Sequence, residues 1–309
     1  MIRFLLLLLL SISPAFAGDI AFITNQGDET VSVVDIDAGV VLRTIFVGGK
    51  PAGIALSHDR KTIYVVSPDS KTVSFLPVDG DAITARVVLD GGPFGIAVNP
   101  VSGVIYVSDW YNARLFVIDP ATQKLLQTIP TGAAPGGVAV SADGKLLVSA
   151  DRDDDQISIF NAKSGERLGT VKVGAHPFGV TLRDGLAYTA DVKSNTVSVV
   201  DIAEHKLIGQ VETGERPYAI AFVGTTGFVT DQYADTVTAF DAATLQQIKT
   251  IEVGEYPEGI AATSDGRVVV VANWMSNTIS ILDPETLELQ SEVEVGDGPR
   301  AFGDFLLQQ

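Results

Sequence analysis

Short apolar runs of five to seven residues, rich in Val, Ile, Thr and Phe, alternate with polar turns along almost the whole chain. After Pro51 the order is GIALS, the turn HDRK, TIYVVS, the loop PDSK, TVSFLPV, the turn DGDA and ITARVVL. Run length and composition are those of β-strands. The breaks SADGK, RDG and SDGR supply turn chemistry. No stretch beyond the first 17 residues carries the apolar spacing of a long amphipathic helix. The pattern predicts units of four short antiparallel strands joined by tight connections.

The unit recurs. VGGKPAGIA, LDGGPFGIA, TGAAPGGVA, VGAHPFGVT, TGERPYAIA, VGEYPEGIA and VGDGPRAFG place a proline at 51, 93, 135, 177, 217, 257 and 299, with spacings of 42, 42, 42, 40, 40 and 42 residues. A period of about 40–45 residues per four-stranded unit is that of a β-propeller blade. The chain is therefore predicted to be an all-β, seven-bladed β-propeller of four-stranded antiparallel blades. IAFITN, residues 20–25, aligns with the second strand of a blade, and AFGDFLL, residues 301–307, with a first strand. Pairing of these N- and C-terminal strands in the blade holding residues 20–46 is expected to close the ring and remove an open edge.

The segments AFITNQGDETVSVVD, AYTADVKSNTVSVVD and VVVANWMSNTISILD, each followed by a proline segment, resemble the YVTN-type β-propeller family of bacteria and archaea. The resemblance covers essentially all of the chain after its first 17 residues. It implies the propeller fold. It also implies an accessory place beside periplasmic redox systems, including quinoprotein-dependent oxidation. Some members of the family are linked to DNA binding.

Compartment and charge narrow the choice. MIRFLLLLLLSISPAFA reads as a secretory signal peptide, with Arg3 at the charged end and cleavage expected after Ala17. This leaves residues 18–309 as one domain in the periplasm or outside the cell. The apolar run is far shorter than the ~20 residues of a membrane span. Cysteine is absent, which excludes disulfides, thiolate metal sites and c-type haem attachment. The net charge of −17 argues against nucleic acid as a partner, because phosphate contacts need a basic footprint. Acidity of this size suits solubility or a cationic partner. A monomer is expected.

Strand alternation puts the proline loops and the loops after each second strand on one rim, here called the upper face. The second-strand loops begin with Asn25, Ser67, Asp109, Asp151, Asp191, Asp231 and Asn273, read as a polar ring on this face. Aromatic and charged residues that do not repeat between blades gather there too. The candidate ligand- or partner-binding set is Asp109, Trp110, Tyr111, Asp151, His176, Arg216, Tyr218, Tyr233, Tyr256, Trp274 and Arg300. Aromatics and arginines in one exposed cluster are the composition of a binding surface. On the opposite rim, Asp35, Asp119, Asp201, Asp241 and Asp283 are expected to bond their own turns.

Catalysis has little to stand on. The chain has no G-x-S-x-G elbow and no H-E-x-x-H pair. His58 and His205 fall on lower turns, and His176 is the one upper-face histidine. Neighbouring sheets stand about 10 Å apart, too far for the polar ring to act as one metal site. The run Asp151, Asp153, Asp154, Asp155 lacks the glycine of an EF-hand loop. No metal and no cofactor are expected. The expectation is a binding or scaffold propeller that holds another periplasmic protein or a small ligand on its upper face. The alternatives are a lactonase-like hydrolase, by analogy of fold, and a haem- or cofactor-handling propeller with His176 as axial candidate.

Overall fold

The computed structural model describes residues 18–308. Residues 1–17, read from the sequence as a signal peptide, lie outside the described residues. Each blade repeats one plan. In the blade that starts at Pro93, the strands Pro93–Val98, Ile105–Asp109, Arg114–Asp119 and Lys124–Pro130 pair in sequence as an antiparallel sheet, innermost first. Six further sheets complete the ring. The middle strands carry apolar residues on both faces because a neighbouring blade covers each face. Ile20–Asn25, for example, is buried at every residue. Outermost strands such as Val40–Phe46 are largely exposed. Among the described residues no helix is long and apolar enough to cross a membrane.

The glycine two places after five of the seven prolines answers to the close approach of adjacent inner strands. A Cβ on Gly95 would lie 2.4 Å from the Gly136 carbonyl oxygen, and one on Gly53 would lie 2.3 Å from that of Phe94. Neither fits without moving backbone. Two blades carry Ala219 and Ala301 at the equivalent position. Hydroxyls bridge some of these junctions. Ser108 Oγ accepts from Gly95 N–H at 2.8 Å and donates to the Gly136 carbonyl of the next blade at 2.7 Å. Thr24 and Thr230 make the same bridge.

The ring closes where the sequence predicts, but the closing strand is divided. Pro299 bridges Asn25, and Leu306 and Leu307 pair antiparallel with Ala21 and Ile20. Between them the chain bulges inward. Phe302–Asp304 pairs instead in parallel with Gly53–Leu56 of the next blade. Gly303 allows this, with φ +135° and a Cβ position 2.1 Å from the Ile54 carbonyl oxygen. Phe305 packs into the core beneath, and Asp304 pairs with Arg60 at 2.6 Å. The bulge drives Phe302 into the central channel.

Candidate functional site

The upper face is built by two loops per blade that hold each other. The residue before the proline adopts a left-handed conformation in six blades, at Lys50, Ala134, His176, Arg216, Tyr256 and Gly298. In four of them a side-chain oxygen of the preceding blade accepts its N–H. Asp155, Asn195, Asp235 and Asn277 take the N–H of His176, Arg216, Tyr256 and Gly298, each at 2.9 Å. Its carbonyl accepts from the residue just past the second strand, as in Trp110 N–H to Gly92 and Trp274 N–H to Tyr256, both at 2.9 Å. Trp110 and Trp274 thus sit at fixed height above the channel.

The expected polar ring is not on the surface. Asn25, Ser67, Asp109, Asp151, Asp191, Asp231 and Asn273 are each 0% exposed. All but Ser67, whose hydroxyl has no partner among the described residues, bond within their own blades. Asp191 Oδ2 accepts from Ser198 at 2.6 Å and Thr196 at 3.1 Å. Asp231 does the same with Thr238 and Thr236. In the Asn blades the bond reverses, with Asn273 Nδ2 donating to Ser280 at 2.8 Å and Thr278 at 3.0 Å. Burial pushes Asp191 up to about 7 and Asp231 up to about 6, against the pull of those hydroxyls. Burial raises Asp151 likewise, despite bonds from Ser149 and Ser158. Burial also opposes ionisation of Asp109, but Gly92 N–H, Arg114 and Asn112 outweigh it and hold its carboxyl below the usual range. Asp109 and Asp151 therefore stand beneath the loops that carry Trp110 and Arg152.

Above this tier the residues directly after the prolines point at the ring axis. Phe94, Phe178 and Tyr218 meet Trp110 and Phe302 there. Phe178 lies 4.2 Å from Tyr218, 5.3 Å from Phe302, 5.4 Å from Phe94 and 5.9 Å from Trp110 between ring centroids. These aromatics plug the channel. Above them opens a cavity of ≈ 600 Å³ lined by Phe94, Trp110, Tyr111, Phe178, Tyr218 and Arg300, with Asp69 and Lys71 at its lip. Below them a second cavity of ≈ 550 Å³, with Phe302 in its roof, opens on the lower face beside His58 and Arg60.

Arg300 links the cavity to the rest of the face. Its Nε donates to Gln26 Oε1 at 3.1 Å, and its Nη1 lies 3.3 Å from Glu258 Oε2 and 3.4 Å from Tyr218 Oη. Its guanidinium carbon stands 5.5 Å from the Trp274 ring centre and 6.0 Å from that of Phe94. Glu258 is buried and also accepts from Gln232 at 2.8 Å. Burial pushes it up to about 6, although Arg300 and Gln232 pull the other way. From Trp274 an aromatic run continues along the rim. Tyr256 is 6.0 Å from Trp274 and 5.0 Å from Tyr233, and Arg216 stacks on Tyr233 at 3.8 Å.

Of the eleven candidates, Trp110, Tyr111, Tyr218 and Arg300 line one cavity. Trp274, Tyr256, Tyr233 and Arg216 form the run that Arg300 joins to it. His176 stands apart, half-buried, held down in pKa by burial and by Arg152 and Lys193. Phe302 and Gln26 were missed, because one reads as a strand residue and the other as an ordinary loop polar. The acidic loop spends its oxygens separately, Asp154 on Ala133 N–H and Asp155 on His176 N–H. Among the described residues no three His, Asp or Glu side chains converge as metal ligands. On the lower rim the five turn aspartates accept N–H bonds of their own turns, as at Asp283 with Glu285 and Thr286.

Residues 221–299 of the chain match the model of the YNCE-like beta-propeller family. A functionally unknown protein from Desulfotomaculum acetoxidans DSM 771 superimposes with a TM-score of 0.80, at 16% identity, over 91% of this chain and 98% of its own. Kuenenia stuttgartiensis hydrazine synthase does so with a TM-score of 0.74, at 17% identity, over 82% of this chain and 89% of its own. Both are similar in fold. No curated protein matches the sequence.

Proposed function

We propose that this chain is an exported binding propeller, working in the periplasm without chemistry of its own, that holds a protein or small ligand on its upper face. The observation that carries the reading is the aromatic and arginine cluster at the mouth of the upper cavity. Concave sites lined by aromatic side chains with a few polar groups are the usual form of a ligand site. Trp, Tyr and Arg are the residues that dominate binding energy at interfaces. The YVTN-type resemblance supports a partner within a periplasmic redox system of quinoprotein type, and residues 1–17 support export with cleavage after Ala17.

The test is capture of a partner by chemical crosslinking in the periplasm, comparing two sets of variants. Trp110→Ala and Trp274→Ala should each weaken capture about ten-fold or more, as truncation of a central aromatic anchor does. His58→Ala and His205→Ala, on the lower turns, should leave it unchanged. Capture that depends on the lower pair and ignores both tryptophans would place the site on the wrong face. Intact mass of the periplasmic protein checks the export, since retention of residues 1–17 contradicts it.

A further inference from the structure

We infer that the upper cavity takes a small planar aromatic carboxylate, with its ring against Trp110, Phe94 and Phe178 and its carboxylate on the free edge of Arg300. The inference rests on the reading of the upper face as a binding surface and adds the chemistry of the ligand.

Three features define that chemistry. The cavity has the volume of a small-molecule site, ≈ 600 Å³, within the range of about 300–1,000 Å³ typical for such sites. Its floor is aromatic, with Phe94, Phe178 and Trp110 within 6.0 Å of one another. Such faces accept another ring by offset stacking or edge contact. The third feature is Arg300. Gln26 occupies its Nε, and Glu258 and Tyr218 lie on the Nη1 side. Among the described residues Nη2 has no acceptor, and the side chain lines the cavity. Trp274 and Phe94 have their ring centres 5.5 and 6.0 Å from the guanidinium carbon.

The electrostatics agree. The chain is acidic overall, yet the charged side chains lining this cavity are two cations, Lys71 and Arg300, and one anion, Asp69. Glu258 balances Arg300 from behind and is sealed from solvent. A carboxylate in the cavity would meet Arg300 from the opposite side, through N–H groups that Glu258 does not use. Charge-assisted bonds of this kind are roughly twice as strong as neutral ones. A neutral aromatic would gain the stacking alone, and an aromatic cation would meet Arg300 unfavourably.

Calorimetric titration of the full exported chain with four probes tests this. 2-Naphthoate should bind at least about ten-fold tighter than 2-naphthol or 2-naphthylmethylamine, the gain of one charge-assisted bond. It should also exceed cyclohexanecarboxylate, which keeps the charge and lacks the ring. Trp110→Ala should weaken naphthoate about ten-fold. Glu258→Gln should tighten it several-fold by removing the competing negative charge. The pair Glu258→Gln with Arg300→Met, neutral at both positions, should erase the preference for naphthoate over naphthol. If that pair fails to fold, Arg300→Lys, which keeps the charge and loses the fork, should reduce the preference.

Equal binding of naphthoate and naphthol, indifference to Trp110→Ala, or no binding of any probe would each overturn the inference. If the probes fail while Trp110→Ala and Trp274→Ala still abolish partner capture, the ligand class alone is wrong. If capture also ignores the tryptophans, the reading of the face falls with it.

Discussion

Arg300 Nη1 stands 3.3 Å from Oε2 of Glu258, a pair joining the last two proline loops at the centre of the upper face. Glu258 is 1% exposed, so its charge depends on this one cation and on the Gln232 amide. Removing one partner of a buried pair costs more than removing both, because a lone buried charge remains. Arg300→Met should therefore lower stability by about 3–5 kcal/mol. The double variant with Glu258→Gln should recover most of that loss. Urea melts of the four proteins check it, and additive losses would show that the two side chains do not interact.

The buried aspartates make a second prediction. A carboxyl raised to about 7 in the folded state, as at Asp191, keeps its proton where the unfolded chain has lost its own. By linkage, its contribution falls as pH rises from about 4 through 7 and is constant above. Asp231, raised to about 6, acts in the same direction over a narrower window. Asn25 and Asn273 occupy the equivalent sites as neutral amides. Asp191→Asn should therefore stabilise the protein by roughly 1 kcal/mol or more at pH 8 and change little at pH 4. Thermal melts at both pH values read the difference directly, and an equal effect at both would contradict a raised Asp191.

The divided closing strand makes a third. Residues 300–307 contribute Phe302, Phe305, Leu306 and Leu307, all buried. Full burial of each such side chain contributes about 1.5–3 kcal/mol. Deleting residues 300–309 should abolish cooperative unfolding. A truncated protein that melts at an unchanged temperature would mean that the ring closes without them.

Duplex DNA is a fourth case. The net charge of −17 repels phosphate, and no duplex binding is expected at physiological salt. Salt-sensitive, sub-micromolar binding in a filter or polarisation assay would reveal a basic surface that the average hides.

How much of this was legible in the sequence varies by level. The proline period and the strand-length runs specify the blade, because each turn and each alternation agrees with the same plan. The ring of Asn25, Ser67 and the aspartates was legible in position and not in environment. A polar residue at a strand end looks exposed, but here the proline loop folds over it. A signal lay in the next strand, since Asn25, Asp191, Asp231 and Asn273 are each followed after five residues by Thr and after seven by Ser or Thr. Those are the hydroxyls that bond them. The division of the closing strand was not legible, because a parallel contact with the next blade leaves no local pattern. Its marks are Phe302 and Gly303, where the other six blades carry Ile or Val followed by Ala or, at Thr181, Thr.

The bulge at residues 302–304 also ties the proposed binding site to the integrity of the ring. The same short stretch fastens the ring and delivers the aromatic stop on which the upper cavity rests. A chain clipped by a protease before Phe302 would lose its fastening and the aromatic ring that supports the cavity floor in one event. Under the proposed function, damaged molecules would then fall silent rather than capture the ligand and withhold it from intact ones.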